Sequence, residues 1–122
     1  MIVAGFGFRR GASADSLRDA LARAGDGRAP DRLATVADKA VAPALRALAS
    51  ALDRPVCAIP EAALTDQTTL TASARVRAAR GTGSVAEASA LAAAGPDARL
   101  IGPRSVSADR MATCALAEGK TE

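Results

Sequence analysis

At 122 residues and a formal net charge of +3, the chain has room for one domain built on one core. It holds no His, Trp or Tyr and only two Phe, which removes imidazole acid–base chemistry and His metal ligation and leaves few rings for stacking bases. Its 14 Arg and 2 Lys, set against 13 acids, are scattered rather than gathered into a basic stripe, so a nucleic-acid partner is not expected.

Nearly half the residues are apolar, mostly Ala, Val and Leu, and side chains this small suit the close helix–sheet packing of an α/β layer structure. Cys57 and Cys114 sit apart in apolar runs with no CxxC spacing. They are expected to be buried, reduced thiols, and no metal site or cofactor is expected. The opening MIVAGFGF reaches Arg9 after too short an apolar run for a signal peptide or membrane span. A soluble, cytoplasmic protein without a membrane partner is the expectation.

In chain order, Ile2 to Phe6 reads as a buried strand that ends in a glycine-rich turn from Gly5 to Gly11. Leu17, Ala20, Leu21 and Ala24 recur at helical spacing behind Ser13, a candidate N-cap. Gly25 to Asp31 is a turn, and Leu33 to Ala37 a second strand running into Asp38 and Lys39. Leu45, Leu48, Ala49 and Leu52 mark the next helix. Pro43, tolerated only in a first turn, sets its start near Val41 and leaves Lys39 at the strand-to-helix junction.

Val56 to Ile59 is a third strand stopped by Pro60, followed by a short helical turn over Glu61 to Leu64. The polar stretch Thr65 to Arg80 reads as loop, with a helical piece around Ala74 to Ala79. Gly81-Thr82-Gly83 then opens a helix whose S-V-A-E start makes Ser84 and Glu87 a capping box, and which ends at Gly95-Pro96. Leu100-Ile101 begins a fourth strand and Met111 to Ala117 forms a fifth, joined by a short polar link. The whole predicts a single α/β domain over residues 1–118, with 119–122 a flexible tail. Its sheet is mixed and mainly parallel, of about five strands, with helices on its faces and a C-terminal β-hairpin.

Ligands of open α/β sheets bind beyond the C-terminal ends of the parallel strands. That rim should receive the turn from Gly5 to Ser13, Asp38-Lys39, and the turn from Gly81 to Ser84. Gly5, Gly7, Gly11, Gly81 and Gly83 would let backbone N–H groups approach an anion, with helix N-termini at Ser13 and Ser84 behind them. Arg9, Arg10 and Lys39 would add full charges. Each has a plainer reading: solvated loop charges for the arginines, a carboxylate partner for Lys39, caps for Ser13, Ser84 and Glu87. The G-x-G-x-x-x-G spacing is one residue too long for a dinucleotide fingerprint, and no P-loop motif occurs. Asp38, Glu61 and Glu87 are the only proton-transfer candidates at the rim, with Glu87 the catalytic candidate, and no His is present to activate a serine.

Three blocks carry a resemblance. V-A-G-F-G-F-R-R-G-A-S (Val3 to Ser13) resembles the G-x-G-x-R-R-G-x-S start of CobE and of the C-terminal domain of CbiG, a family of cobalamin (vitamin B12) biosynthesis. Thr71, Ser73 and the run Gly81 to Leu91 are similar to its G-x-x-S-V-A-E-A-x-A-L signature. Lys39, Pro43 and Leu45 match its K-x-x-E-P-x-L element, with Ala42 where the family has glutamate; the family's basic residue after the fourth strand corresponds at best to Arg104, displaced by Pro103.

The likeness spans essentially the whole chain and is greatest to stand-alone CobE. It implies an α/β fold and a role in building the corrin ring. A precorrin or other corrinoid small molecule is then the implied ligand, bound by Gly5, Gly7, Arg9, Arg10, Gly11, Ser13, Lys39, Gly81, Gly83, Ser84 and Glu87, and other enzymes of the pathway are implied partners. An accessory or carrier protein of the aerobic route is the first expectation. The alternatives are a hydrolase that opens a precorrin lactone or releases a two-carbon fragment, and a scaffold for a pathway methyltransferase. Phe6 and Phe8 are candidates for an apolar floor under the macrocycle.

Overall fold

The computed structural model describes residues 1–25, 29–60, 62–63, 85–95 and 97–119. Among them, strands and helices alternate as β1 (Ile2–Phe8), α1 (Ala14–Gly25), β2 (Arg32–Val36), a 3₁₀ turn (Ala37–Lys39), α2 (Pro43–Leu52), β3 (Val56–Ile59), α3 (Val85–Ala94), β4 (Arg99–Leu100), β5 (Ser105–Val106) and β6 (Ala112–Glu118). The sheet order is β3-β2-β1-β6-β4, with β5 also on β6. It is parallel through β3, β2 and β1, and antiparallel where β6 meets β1, β4 and β5. Ala62 and Ala63 are helical. No helix of the described residues is long and apolar enough to cross a membrane.

Alternation along β1 sorts its side chains onto two faces. Ala4 and Phe6 pack with Leu17, Leu21, Leu45, Leu48, Cys114 and Leu116 in one core, under α1 and α2. Val3 packs on the other face with Ala34, Val36, Ile59, Ala88, Leu91 and Ala117, under α3. The result is a three-layer α/β/α domain. Phe6, Leu17, Leu33, Leu45 and Leu48 are completely buried, and each such side chain contributes about 1.5–3 kcal/mol through removal from water. Cys114 is buried in the first core and its thiol is pushed well above the ordinary range by desolvation. Cys57, expected to be buried, is only half-buried on the edge strand β3.

The local signals explain the helix ends. Ser13 Oγ accepts the Ser16 N–H at 3.1 Å, and Ser16 Oγ accepts the Ser13 N–H at 3.3 Å, a reciprocal cap for α1. Pro43 is the first residue of α2, two positions later than its predicted start, because the chain turns through Ala40 and Val41 before the helix can begin. Asp53 closes α2 in the left-handed region (φ 55°), with the Arg54 N–H bonded to Ala49 O. Gly95 (φ +110°) ends α3, as read from the sequence.

Three readings change. β1 continues to Phe8 rather than Phe6, since β6 pairs with it residue for residue as far as Phe8–Ala112. The link between the fourth strand and the last holds a further strand, β5, so the tight hairpin is β5–β6, while β4 pairs with the far end of β6. Gly119, placed in the tail by the sequence reading, exchanges hydrogen bonds with Met1: its N–H donates to Met1 O at 2.9 Å, and the Met1 amine donates to its carbonyl at 3.1 Å. The loop and helical piece over 65–80, the turn from Gly81 to Ser84, Glu61, Leu64 and residues 120–122 lie outside the described residues.

Candidate functional site

At the C-terminal rim of the parallel strands, β1 runs out through Phe8 into Arg9 and Arg10, and both arginines are exposed. The Ala12 N–H returns to Arg9 O at 3.1 Å, and Gly11 has φ +90°. That combination is the signature of a type II turn, whose third position admits glycine almost alone. Gly11 therefore shapes the turn that presents Arg10. Arg9 stays tied to the sheet through its N–H, which donates to Met111 O at 2.9 Å.

Lys39 reaches the same rim from the end of β2. Its ammonium donates to Phe8 O at 2.6 Å and lies 5.0 Å from the centre of the Phe8 ring. The cation thus caps the last carbonyl of β1 and stands next to the arginine turn. Phe8 is half-buried beneath it, whereas Phe6 is wholly buried in the core and is removed as a candidate floor.

Gly5 and Gly7 are corrected. They lie inside β1, on the face that meets α3, rather than in the glycine-rich turn that follows it. A Cβ on Gly5 would run into the α3 backbone at Ala86 O and Ala90 N; one on Gly7 would come within 2.9 Å of Thr113 Oγ1. The reason for these glycines is close helix–strand approach. That approach sets the first turn of α3, at Val85 and Ala86, beside Gly7 on the rim, and Thr113 Oγ1 donates to Gly7 O at 3.1 Å.

Glu87 is completely buried, and its carboxyl accepts the Arg104 N–H at 2.9 Å. It anchors the chain between β4 and β5 onto α3. In this bond the carboxyl acts as a structural acceptor. Ser13 is likewise engaged as a cap. The positive end of α1 is already met by an internal carboxylate: Asp109 accepts Ser16 Oγ–H at 2.5 Å, Ser107 Oγ–H at 2.5 Å and the Met111 N–H at 3.0 Å. These hydroxyls and the amide hold the Asp109 carboxyl below its ordinary range. Asp19 is lowered too, first by the Ala108 N–H at 2.7 Å and then by Arg23.

The two aspartates clasp the β5–β6 turn to α1, and their depressed folded-state values fix the sign of a pH effect. Their stabilisation is present above the unfolded carboxylate value and is lost as pH falls through the lower folded one. With no His in the chain, urea melts should be nearly level from about pH 5 to 8 and should weaken below about pH 4. Asp109→Asn should be less stable at neutral pH and should lose less on acidification. An acid profile parallel to wild type would show that this carboxylate carries none of the effect.

The structure therefore joins Arg9, Arg10, Gly11 and Lys39 along one rim and brings the first turn of α3 to its side, whereas the described contacts of Gly5, Gly7, Ser13 and Glu87 are structural ones. Thr113 and Met111 were missed from the sequence because only the β1–β6 register carries them there.

A three-layer α/β domain with a cationic rim at its parallel-strand ends defines the class: an open-sheet α/β domain, in which ligand sites generally lie beyond the carboxyl ends of the strands. The chain belongs to the family described as cobalamin synthesis G C-terminus, whose model matches residues 2–117. Among solved structures it is similar to CobE, a protein from the cobalamin (vitamin B12) biosynthetic pathway, at 40% identity over 100% of this chain and 92% of that one, with a TM-score of 0.88. It is also similar to cobalamin biosynthesis protein chiG from Agrobacterium tumefaciens, at 32% identity over 99% of this chain and 100% of that one, TM-score 0.74. A cobalamin biosynthesis protein G homologue from Sulfolobus solfataricus shares the fold at 19% identity, covering 98% of this chain and 37% of that one, TM-score 0.70. Comparison with curated proteins finds no match.

Proposed function

We propose that this protein binds a polycarboxylate corrinoid intermediate at the rim formed by Arg9, Arg10 and Lys39, as an accessory or carrier protein of cytoplasmic, aerobic cobalamin biosynthesis. The observation that carries the reading is the meeting of Lys39 with the arginine turn: the ammonium bonded to Phe8 O at 2.6 Å, one residue before two exposed guanidinium groups. Precorrins carry several acetate and propionate arms, and guanidinium forks match carboxylates in charge and shape. Membership in a cobalamin-synthesis family supplies the macrocycle. Gly81, Gly83 and Ser84 belong to this proposal as backbone donors from the segment leading into α3. No described feature favours the hydrolase or the scaffold over this reading.

Visible-absorption titration with hydrogenobyrinic acid should give a saturable spectral shift. Arg9→Ala/Arg10→Ala should weaken it by about tenfold or more, since a hydrogen bond to a charged group contributes about 1.5–3 kcal/mol. A fully amidated corrinoid, lacking the negative charges, should bind the wild type no better than it binds the double variant. No spectral change at tens of micromolar acid would defeat the reading.

A further inference from the structure

The sequence singles out two arginines at the rim, and the fold adds a third. β1 and β6 are antiparallel in a register that ends at Phe8–Ala112, and the Arg9 N–H to Met111 O bond extends it by one step. The next residue of the β5–β6 turn is Arg110, so the turn that carries it lies alongside the Arg9–Arg10 turn although Arg10 and Arg110 are 100 positions apart in the sequence. Arg110 is exposed, and its backbone is held in the left-handed region at φ 61°. Its N–H donates to Ser107 O at 2.9 Å, the geometry of a tight hairpin turn whose final position ordinarily holds glycine or asparagine.

An arginine there strains the backbone, and a hairpin under no other demand would relieve that strain with glycine. The neighbouring Asp109 does not absorb the charge, since its carboxylate already receives Ser16, Ser107 and the Met111 N–H. None of Arg9, Arg10 and Arg110 has a side-chain hydrogen bond or ion pair to a described residue.

We propose that Arg110 is a third ligand-binding residue, held at a strained hairpin position so that three unpaired guanidinium groups, with Lys39 beside them, engage several carboxylates of one ligand. This rests on the reading of the rim given above and deepens it. The ligand class is a polycarboxylate, in which separated acid groups contact separate arginines. Strain retained at a binding surface is the pattern expected when a local conformation serves function against stability.

The test separates the two quantities. Arg110→Gly should raise Tm by about 2–4 °C through relief of the left-handed strain, while weakening hydrogenobyrinic acid binding about five- to tenfold by absorption titration. Arg110→Asn, which tolerates the same backbone without the charge, should weaken binding equally. Arg110→Lys should recover most of the affinity at low salt. Unchanged affinity in the Gly and Asn variants, with the Arg9→Ala/Arg10→Ala pair still defective, overturns the role of Arg110 and leaves the rim standing. A lower Tm in Arg110→Gly overturns the strain argument. Absence of wild-type binding brings down the rim reading itself, and this inference with it.

Discussion

Gly5→Ala should be a severely damaging single-methyl change, costing about 3 kcal/mol or more and depleting the soluble folded fraction. The added Cβ would stand 2.6 Å from Ala90 N and 2.9 Å from Ala90 Cβ, and closer still to Ala86 O. The obstructing atoms are helix backbone, which cannot rotate aside, so α3 as a whole would have to lift from the sheet and open the Val3–Ala88–Leu91 core. Two neighbours provide the scale. Gly7→Ala meets only the Thr113 hydroxyl at 2.9 Å, a side chain able to turn away once it gives up its bond to Gly7 O. Gly11→Ala meets Met111 Cε at an ordinary 3.8 Å and suffers only its φ of +90°, costing about 1 kcal/mol. Urea melts of the three variants should therefore rank Gly5 far worst. A Gly5→Ala protein as stable as wild type would mean that α3 does not pack on β1 as described.

Loss of the Glu87 carboxyl should be the second large effect. Glu87→Ala should cost about 2–4 kcal/mol, combining an unpaired, partly buried Arg104 N–H with the space vacated by a fully buried side chain. Glu87→Gln keeps the volume and an oxygen that can accept the same N–H, so it should lose about 1 kcal/mol. The contrast decides between two readings of one residue. An anchor predicts that Gln restores both stability and corrinoid affinity; a proton-transfer group predicts a stable Gln variant that has lost a chemical step. Hydrogen exchange at the Arg104 amide adds a direct readout, faster in Glu87→Ala and close to wild type in Glu87→Gln. Slow exchange in the Ala variant would show that the carboxyl does not hold the chain between β4 and β5.

The amphipathic spacing of Leu17, Ala20 and Leu21 and of Leu45, Leu48 and Ala49 placed α1 and α2, because one-sided burial imposes a helical period that survives without tertiary information. Ser13, Pro43 and Gly95 marked ends for local reasons, through a side-chain acceptor, a fixed φ and a positive φ. Lys39 could be assigned to the rim from the strand that precedes it and the proline that follows. The glycines misled for an equally physical reason. In sequence, a glycine needed for a turn and a glycine needed for close approach look alike, and of Gly5, Gly7 and Gly11 it is Gly11 that proved to be the former. The capping box of Ser84 and Glu87 involves a residue outside the described ones, and the bond from the Arg104 N–H to Glu87, 17 residues away in sequence, had no local signal.

The order of the longer strands and helices, the family and the cationic first turn were legible in the sequence, since each is written in residues close together along the chain. Which distant residues share the rim came from the folded arrangement alone. The pairing of β6 with β1 carries Met111 and Thr113, and with them Arg110, to the end of the first strand. Strand register is fixed by the two buried faces of the sheet acting together, a long-range condition that no local pattern encodes.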